Sequence, residues 1–279
     1  MPPGAEHVAV LETGVSIHYV ERGAGTPVVF IHGGGKDYHY WDAHLPGFGA
    51  QYRAIAYSRR YSPPNDNANF TREYNALIDA SDLVALLRAL AVGPAHFVAG
   101  SIGAVAALFV AVRHPKLVRS LVVAEPPLMH WTRELPAALP LFERFYHEAY
   151  RPAGDLFNQG QPERAMALLI DAFVGTGSFE RFPDALKRKV MRGARDWGAQ
   201  ATSTVQFPEL TRDDVGRVTV PVLMLSGERT IPVHAMLDAE LERVLPRVER
   251  LTIPRASHDV WADAPDACRA ATLEFLAKH

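Results

Sequence analysis

The chain has 279 residues, a formal charge of −2 and one cysteine, with 48% hydrophobic and 22% charged residues. This is the composition of a globular chain with a large core, and the length suits one α/β domain with or without an insertion. The 29 Lys+Arg against 31 Asp+Glu give no basic excess for nucleic acid, Cys268 alone excludes an internal disulfide, and no apolar run approaches the roughly 18 residues of a membrane span. Met1–Glu6 lacks a basic stretch leading into an apolar one, so no secretory signal is read and a cytoplasmic location is expected.

Taken in chain order, Val8–Leu11 and Val15–Val20 read as two antiparallel strands around Thr13-Gly14. Pro27–Ile31, Tyr52–Tyr57, Ala95–Ala99 and Leu121–Ala124 are short apolar runs, as strands covered on both faces would be. Between them, Thr71–Ala91 carries Leu83, Leu86, Leu87 and Leu90 at helical spacing, and Gly93-Pro94 ends it. Ile102–Arg113, small and apolar all round, reads as a buried helix. From Glu125-Pro126-Pro127 to about Phe207 the pattern is helical and rich in aromatics. Strands return at Val220–Leu225 and Val248–Ile253, with helices near Val233–Val244 and up to about Ala277. The alternation predicts an α/β fold, a mostly parallel central sheet flanked by helices. Residues 126–207 form an expected helical cap, inserted between the two core segments 1–125 and 208–279.

The sharpest local signal is Ala99-Gly100-Ser101-Ile102-Gly103, between a predicted strand and a predicted helix. A serine on so tight a turn needs small neighbours, and Ala99 and Gly103 supply them. The helix after it aims N–H groups at whatever the serine attacks. This is the pattern of a nucleophile elbow, with Ala in place of the first glycine. The alternative is a small-residue turn carrying a bystander serine. The run Ile31-His32-Gly33-Gly34-Gly35 closes an earlier buried strand. Its functional reading is half of an oxyanion hole, with Gly34 N–H beside Ile102 N–H as donors; its plain reading is a glycine-rich loop. His32 reads as structural. His258, after the last predicted strand, stands where a base for a serine nucleophile would project.

Together these residues resemble the α/β-hydrolase fold family over nearly the whole chain. The resemblance rests on the His32 loop, the Ser101 turn, the insertion, Val222–Glu228 as the acid-bearing strand, and the late His258. Arg59-Arg60-Tyr61-Ser62 resembles the family's Arg-Gly loop in altered form. One position departs from the pattern. The family's acid is an Asp three residues past the glycine that is Gly227 here, and that position is Thr230. Glu228 is one substitute. Glu125, 24 residues after Ser101 at the end of the next strand, is the favoured one, because a triad is defined by geometry and not by chain position. One branch of the haloalkane dehalogenases carries its acid at that strand end. Asp259 and Asp263 are weaker candidates. Dehalogenases and epoxide hydrolases of this fold use an Asp nucleophile, and Ser101 speaks against both chemistries.

The resemblance implies a serine hydrolase that cleaves small, mostly apolar carboxylic esters or lactones through an acyl-enzyme, with Ser101, His258 and Glu125 as triad. The alternatives are C–C bond hydrolysis, a cofactor-free oxygenase or perhydrolase activity, and a slow-turnover ligand sensor. Gly33, Tyr38, Trp41 and Trp131 are expected on the substrate pocket wall, although packing at a helix start explains Tyr38 and Trp41 equally well. No nucleotide-binding glycine motif and no aligned His/Asp/Glu set is present, so no cofactor and no metal are expected. The expected partner is a small-molecule substrate, with neither nucleic acid nor membrane. The oligomeric state stays open.

Overall fold

The computed structural model describes residues 6–68 and 71–279; the reading of the first residues as lacking a signal segment falls largely outside this range. The strands β1 (Glu6–Val10) and β2 (Ser16–Arg22) pair antiparallel, closed by Leu11 N–H donating to the Val15 carbonyl at 2.8 Å. Next come β3 (Pro27–Ile31), β4 (Arg53–Tyr57), α1 (Ala76–Ala89), β5 (Ala95–Gly100), α2 (Ile102–Arg113) and β6 (Val118–Ala124). α1 starts five residues later than its periodicity suggests, because Asn75 caps it by accepting the Leu77 N–H at 2.9 Å.

Between β6 and the next strand every regular element is helical. The longer ones are α3 (Leu139–Phe145), α4 (Arg151–Asn158), α5 (Pro162–Val174), α6 (Asp184–Met191) and α7 (Ala194–Ala201). Tyr150, Met166, Leu169 and Phe179 form a core of their own there, with Phe145, Phe157 and Phe182 packed around it. The sheet resumes with β7 (Val222–Gly227), α8 (Pro232–Val244), β8 (Val248–Ile253) and α9 (Pro265–Leu276). Among the described residues no helix is long and apolar enough to cross a membrane.

The eight strands run in the order β1-β2-β4-β3-β5-β6-β7-β8, parallel from β4 onward. The central strands are buried nearly throughout, because helices cover both faces. Leu83, Leu87, Phe109 and Leu241 fill one face, and Trp41, Phe48, Trp261 and Phe275 the other. All parallel strands therefore end on one edge, and the loops that leave them meet there.

One of the close backbone contacts at that edge is at Gly103. A Cβ at this position would lie 2.5 Å from the His32 carbonyl oxygen and 2.8 Å from that of Ile31. The start of α2 thus rests on the end of β3 with no room for a side chain. Gly103→Ala is expected to destabilise the fold by about 2–3 kcal/mol, since the obstructing atoms are backbone and cannot swing aside. Urea unfolding of the two proteins measures this, and equal midpoints would contradict the close approach.

Candidate active site

β5 and β6 pair in register up to Gly100 opposite Ala124, so the next residues, Ser101 and Glu125, leave the sheet side by side. Ser101 N–H donates to the Ala124 carbonyl at 2.8 Å and ties the two exits together. Both residues have left-handed backbone, φ 52° at Ser101 and 47° at Glu125. Such conformations cost on the order of 1–3 kcal/mol each in a non-glycine residue and concentrate at functional sites.

His258, on the loop after β8, lies between them. Its Nε2 is 3.1 Å from Ser101 Oγ, and its Nδ1 is 2.7 Å from Glu125 Oε2. An ionised carboxylate only accepts, so the ring proton sits on Nδ1 and leaves Nε2 free to accept from the serine hydroxyl. Glu125 is 1% exposed. A buried carboxylate needs donors, and this one has three: His258, Gly227 N–H on Oε1 at 2.7 Å, and the Thr230 hydroxyl on Oε2 at 2.5 Å. Thr230, at the position of the family's acid, thus donates to a carboxylate that comes from the neighbouring strand.

The other acids point elsewhere. Glu228 accepts from Arg255 N–H at 2.6 Å. Asp259 pairs with Lys36 at 2.6 Å and with the Tyr40 hydroxyl, and Asp263 accepts from Ser257 N–H and Oγ at 2.7 and 2.6 Å. The Lys36–Asp259 pair joins the loop after β3 to the His258 loop. Cys268 is buried, its thiol against the Val260 carbonyl.

Gly33 and Gly34 lie on the loop after β3. A Cβ on Gly33 would come 3.1 Å from Ser101 Cβ, which puts this loop directly beside the serine. Among the described residues, neither Gly34 N–H nor Ile102 N–H has an intramolecular acceptor. Of the residues expected on the pocket wall, Gly33 is thus at the serine, and Tyr38 and Trp41 are core residues. Tyr38 and Trp41 are buried in the core under the sheet, Trp41 against Phe30 and Trp261. Trp131 is also buried; its indole N–H donates to the Leu210 carbonyl at 2.7 Å, and it borders a gap of about 10 Å³, room for one water. A larger cavity, about 270 Å³, is lined by Met129, Phe142, Phe173, Ile231, Val233 and His234 among others.

His234, at the start of α8, was not singled out among the 12 histidines. Its ring lies 4.3 Å from that of His258, centroid to centroid. Burial, with the charge of His258 next, holds its pKa well below the usual value, so it stays neutral. Folding brings three groups of ligand type together at this point. Glu125, His234 and His258 bring ligand atoms within 4.8 Å of one another, from three separate elements that sequence spacing does not connect. Both carboxylate oxygens of Glu125 already accept hydrogen bonds.

A sequence profile of the alpha/beta hydrolase fold matches residues 26–265. The chain belongs to the α/β-hydrolase fold family. Within that family it is 28% identical to a Mycobacterium tuberculosis protein named as a non-heme bromoperoxidase, BpoC, over 94% of this chain and 98% of the relative. It is 26% identical to the 2-(acetamidomethylene)succinate hydrolase of Mesorhizobium japonicum, over 94% of this chain and 92% of the relative. Among solved structures, the enol-lactonase of Burkholderia xenovorans shares the fold with a TM-score of 0.77 at 16% identity, covering 97% of this chain and 100% of that one.

Beneath the hydrolase-fold site, Asp238 on α8 accepts from the Ser226 hydroxyl at 2.5 Å, and its Oδ1 has no partner among the described residues. Burial pushes its pKa up to about 7; the Ser226 bond opposes this and the charge of Glu125 adds to it. A carboxyl raised in the folded state contributes stability that is full below its unfolded pKa near 4 and is lost as pH rises through the folded value. Asp238→Asn should therefore match the wild type near pH 4 and exceed it by a few kcal/mol at pH 8. Urea midpoints across that range measure the difference, and a pH-independent gap would contradict the buried acid.

Proposed function

We propose that this protein is a serine hydrolase acting on small, mostly apolar carboxylic esters or lactones through an acyl-enzyme. The observation that carries this reading is the unbroken line from Ser101 Oγ through His258 to Glu125, at 3.1 and 2.7 Å. Ser101 Oγ attacks the carbonyl carbon as His258 Nε2 takes its proton. The negative charge on the carbonyl oxygen is met by the N–H groups of Gly34 and Ile102. The tetrahedral species collapses, the carbon–oxygen bond to the leaving group breaks, and His258 returns its proton to that oxygen. Water then repeats the sequence and frees the acid. Glu125 holds Nδ1–H throughout and stabilises the imidazolium. The helical insertion serves as a cap, and the cavity of about 270 Å³ beside His234, mostly apolar with Arg144 and Glu148 on its lining, has the size for a small acyl or ring moiety.

A second reading is supported by the similarity to the relative named as a bromoperoxidase. Hydrogen peroxide attacking the same acyl-enzyme in place of water would release a peracid. The missing acid at Thr230 is the one sequence feature that favours a slow-turnover sensor, and the contact of Glu125 with His258 supplies a carboxylate in its place.

Turnover of p-nitrophenyl esters and lactones, with peracid release measured beside it, tests both readings. Ser101→Ala is expected to abolish hydrolysis and labelling by a fluorophosphonate, a loss on the order of 10⁶ in kcat. A variant that still turns over at the wild-type rate would sink the mechanism. For the acid, Glu125→Gln is expected to lower kcat by roughly 10²–10⁴, and Glu228→Gln to leave it within about threefold. The reverse ranking would move the acid back to the β7 loop.

A further inference from the structure

A second polar cluster lies under the loop after β3. Arg59, on the loop after β4, is buried. Its Nη1 donates to Asp79 at 2.7 Å and to the Tyr74 hydroxyl at 3.1 Å; its Nη2 donates to Asp196 at 2.6 Å and to the Gly33 carbonyl at 3.3 Å. Asp79 is on α1 and Asp196 on α7, so one guanidinium bonds the core to the helical insertion. The Arg59 backbone N–H donates to His32 Nε2 at 3.0 Å. That leaves the His32 proton on Nδ1, which donates to the same Gly33 carbonyl at 2.8 Å.

The Gly33 carbonyl and the Gly34 N–H belong to one trans peptide, so they point in opposite directions. Two donors on the carbonyl fix where the Gly34 N–H points. The cationic donor also polarises the peptide and strengthens that N–H as a donor in turn. The peptide on the far side of Gly34 is held as well: Gly35 N–H donates to Asp196 Oδ2 at 2.8 Å, the oxygen that Arg59 also uses. The packing leaves no slack. A Cβ on Gly193 would lie 2.2 Å from the Gly35 carbonyl oxygen, and one on Gly34 would lie 3.0 Å from the Trp197 ring.

We propose that residues 193–197 of the insertion, acting through Asp196 and Arg59, position the Gly34 N–H as an oxyanion donor, so that the hole is complete only when the insertion is seated on the loop. This rests on the acyl-transfer reading above. Arg59 and Asp196 are positioning residues; their side chains act on the Gly33–Gly35 backbone. In the buried cluster one cation faces two carboxylates. Removing the charge of Asp196 leaves the Arg59–Asp79 pair balanced, so Asp196→Asn is the variant suited to keeping the fold. Gly193→Ala tests the same link sterically, with no change of charge.

Both variants are to be compared with the wild type in kcat, KM and affinity for a trifluoromethyl ketone. Ser101 adds to such a ketone, and its oxygen then occupies the oxyanion hole. Deleting a whole oxyanion donor costs about 10²–10³ in kcat. A misdirected donor is expected to cost roughly tenfold or more, with KM within about threefold and ketone affinity falling in step with kcat. The Gly34 amide signal in a ¹⁵N–¹H spectrum is expected to move in both variants. A merely structural role would lower the unfolding midpoint and leave kcat and ketone affinity of the folded protein unchanged. Folded variants with wild-type kcat, ketone affinity and Gly34 signal overturn the proposal. No ketone adduct in the wild type would instead sink the acyl-transfer reading, and this proposal with it.

Discussion

The in-register pairing of β5 with β6 is the constraint on which the site depends. It puts Gly100 opposite Ala124, and the Ser101 N–H bond to the Ala124 carbonyl carries that alignment one residue beyond the sheet. Parallel strands in register deliver their next residues at one height, about 4.8 Å apart. Ser101 and Glu125 then turn out of the sheet with left-handed backbone, and His258 spans the gap. Side chains from two strand ends meet with little flexible chain between them, so the geometry is held by the sheet itself.

That constraint also explains how Thr230 fits. With the carboxylate reaching His258 from β6, the turn after β7 has no acid to supply, but a buried carboxylate still has to be solvated. Gly227 N–H and the Thr230 hydroxyl do this. A carboxylate at position 230 would instead face the charge of Glu125 in a region of low polarity, where like charges repel strongly. Thr at 230 and Glu at 125 therefore go together, as donor and acceptor.

Much of this was legible in the sequence for physical reasons. Buried parallel strands write themselves as apolar runs, so Pro27–Ile31 matched the structure to the residue. The edge strand Val248–Ile253 matched too, although most of it is not buried. The tight turn at Ser101 required small neighbours, and its place between strand and helix marked it. What escaped was set by three-dimensional packing. Tyr38 and Trp41 directly follow the glycine loop, yet their bulk draws them into the core. His234 meets His258 only because α8 packs beside the last loop. Arg59 and Asp196 are 137 residues apart, and nothing local in either stretch announces the other.

Moving the carboxylate off the β7 turn changes what the following residues are free to do. Ile231, Pro232, Val233 and His234 come directly after Thr230, and all four face the cavity. Where a turn must both supply a charge and shape a binding wall, a substitution that alters the wall also shifts the charge. Here the charge is rooted in a buried strand, and the wall is rooted in the first turn of α8. Reshaping the cavity from this side leaves the Glu125–His258 bond on its own backbone, so in the proposed mechanism variation in ligand fit is separable from proton transfer along the chain itself.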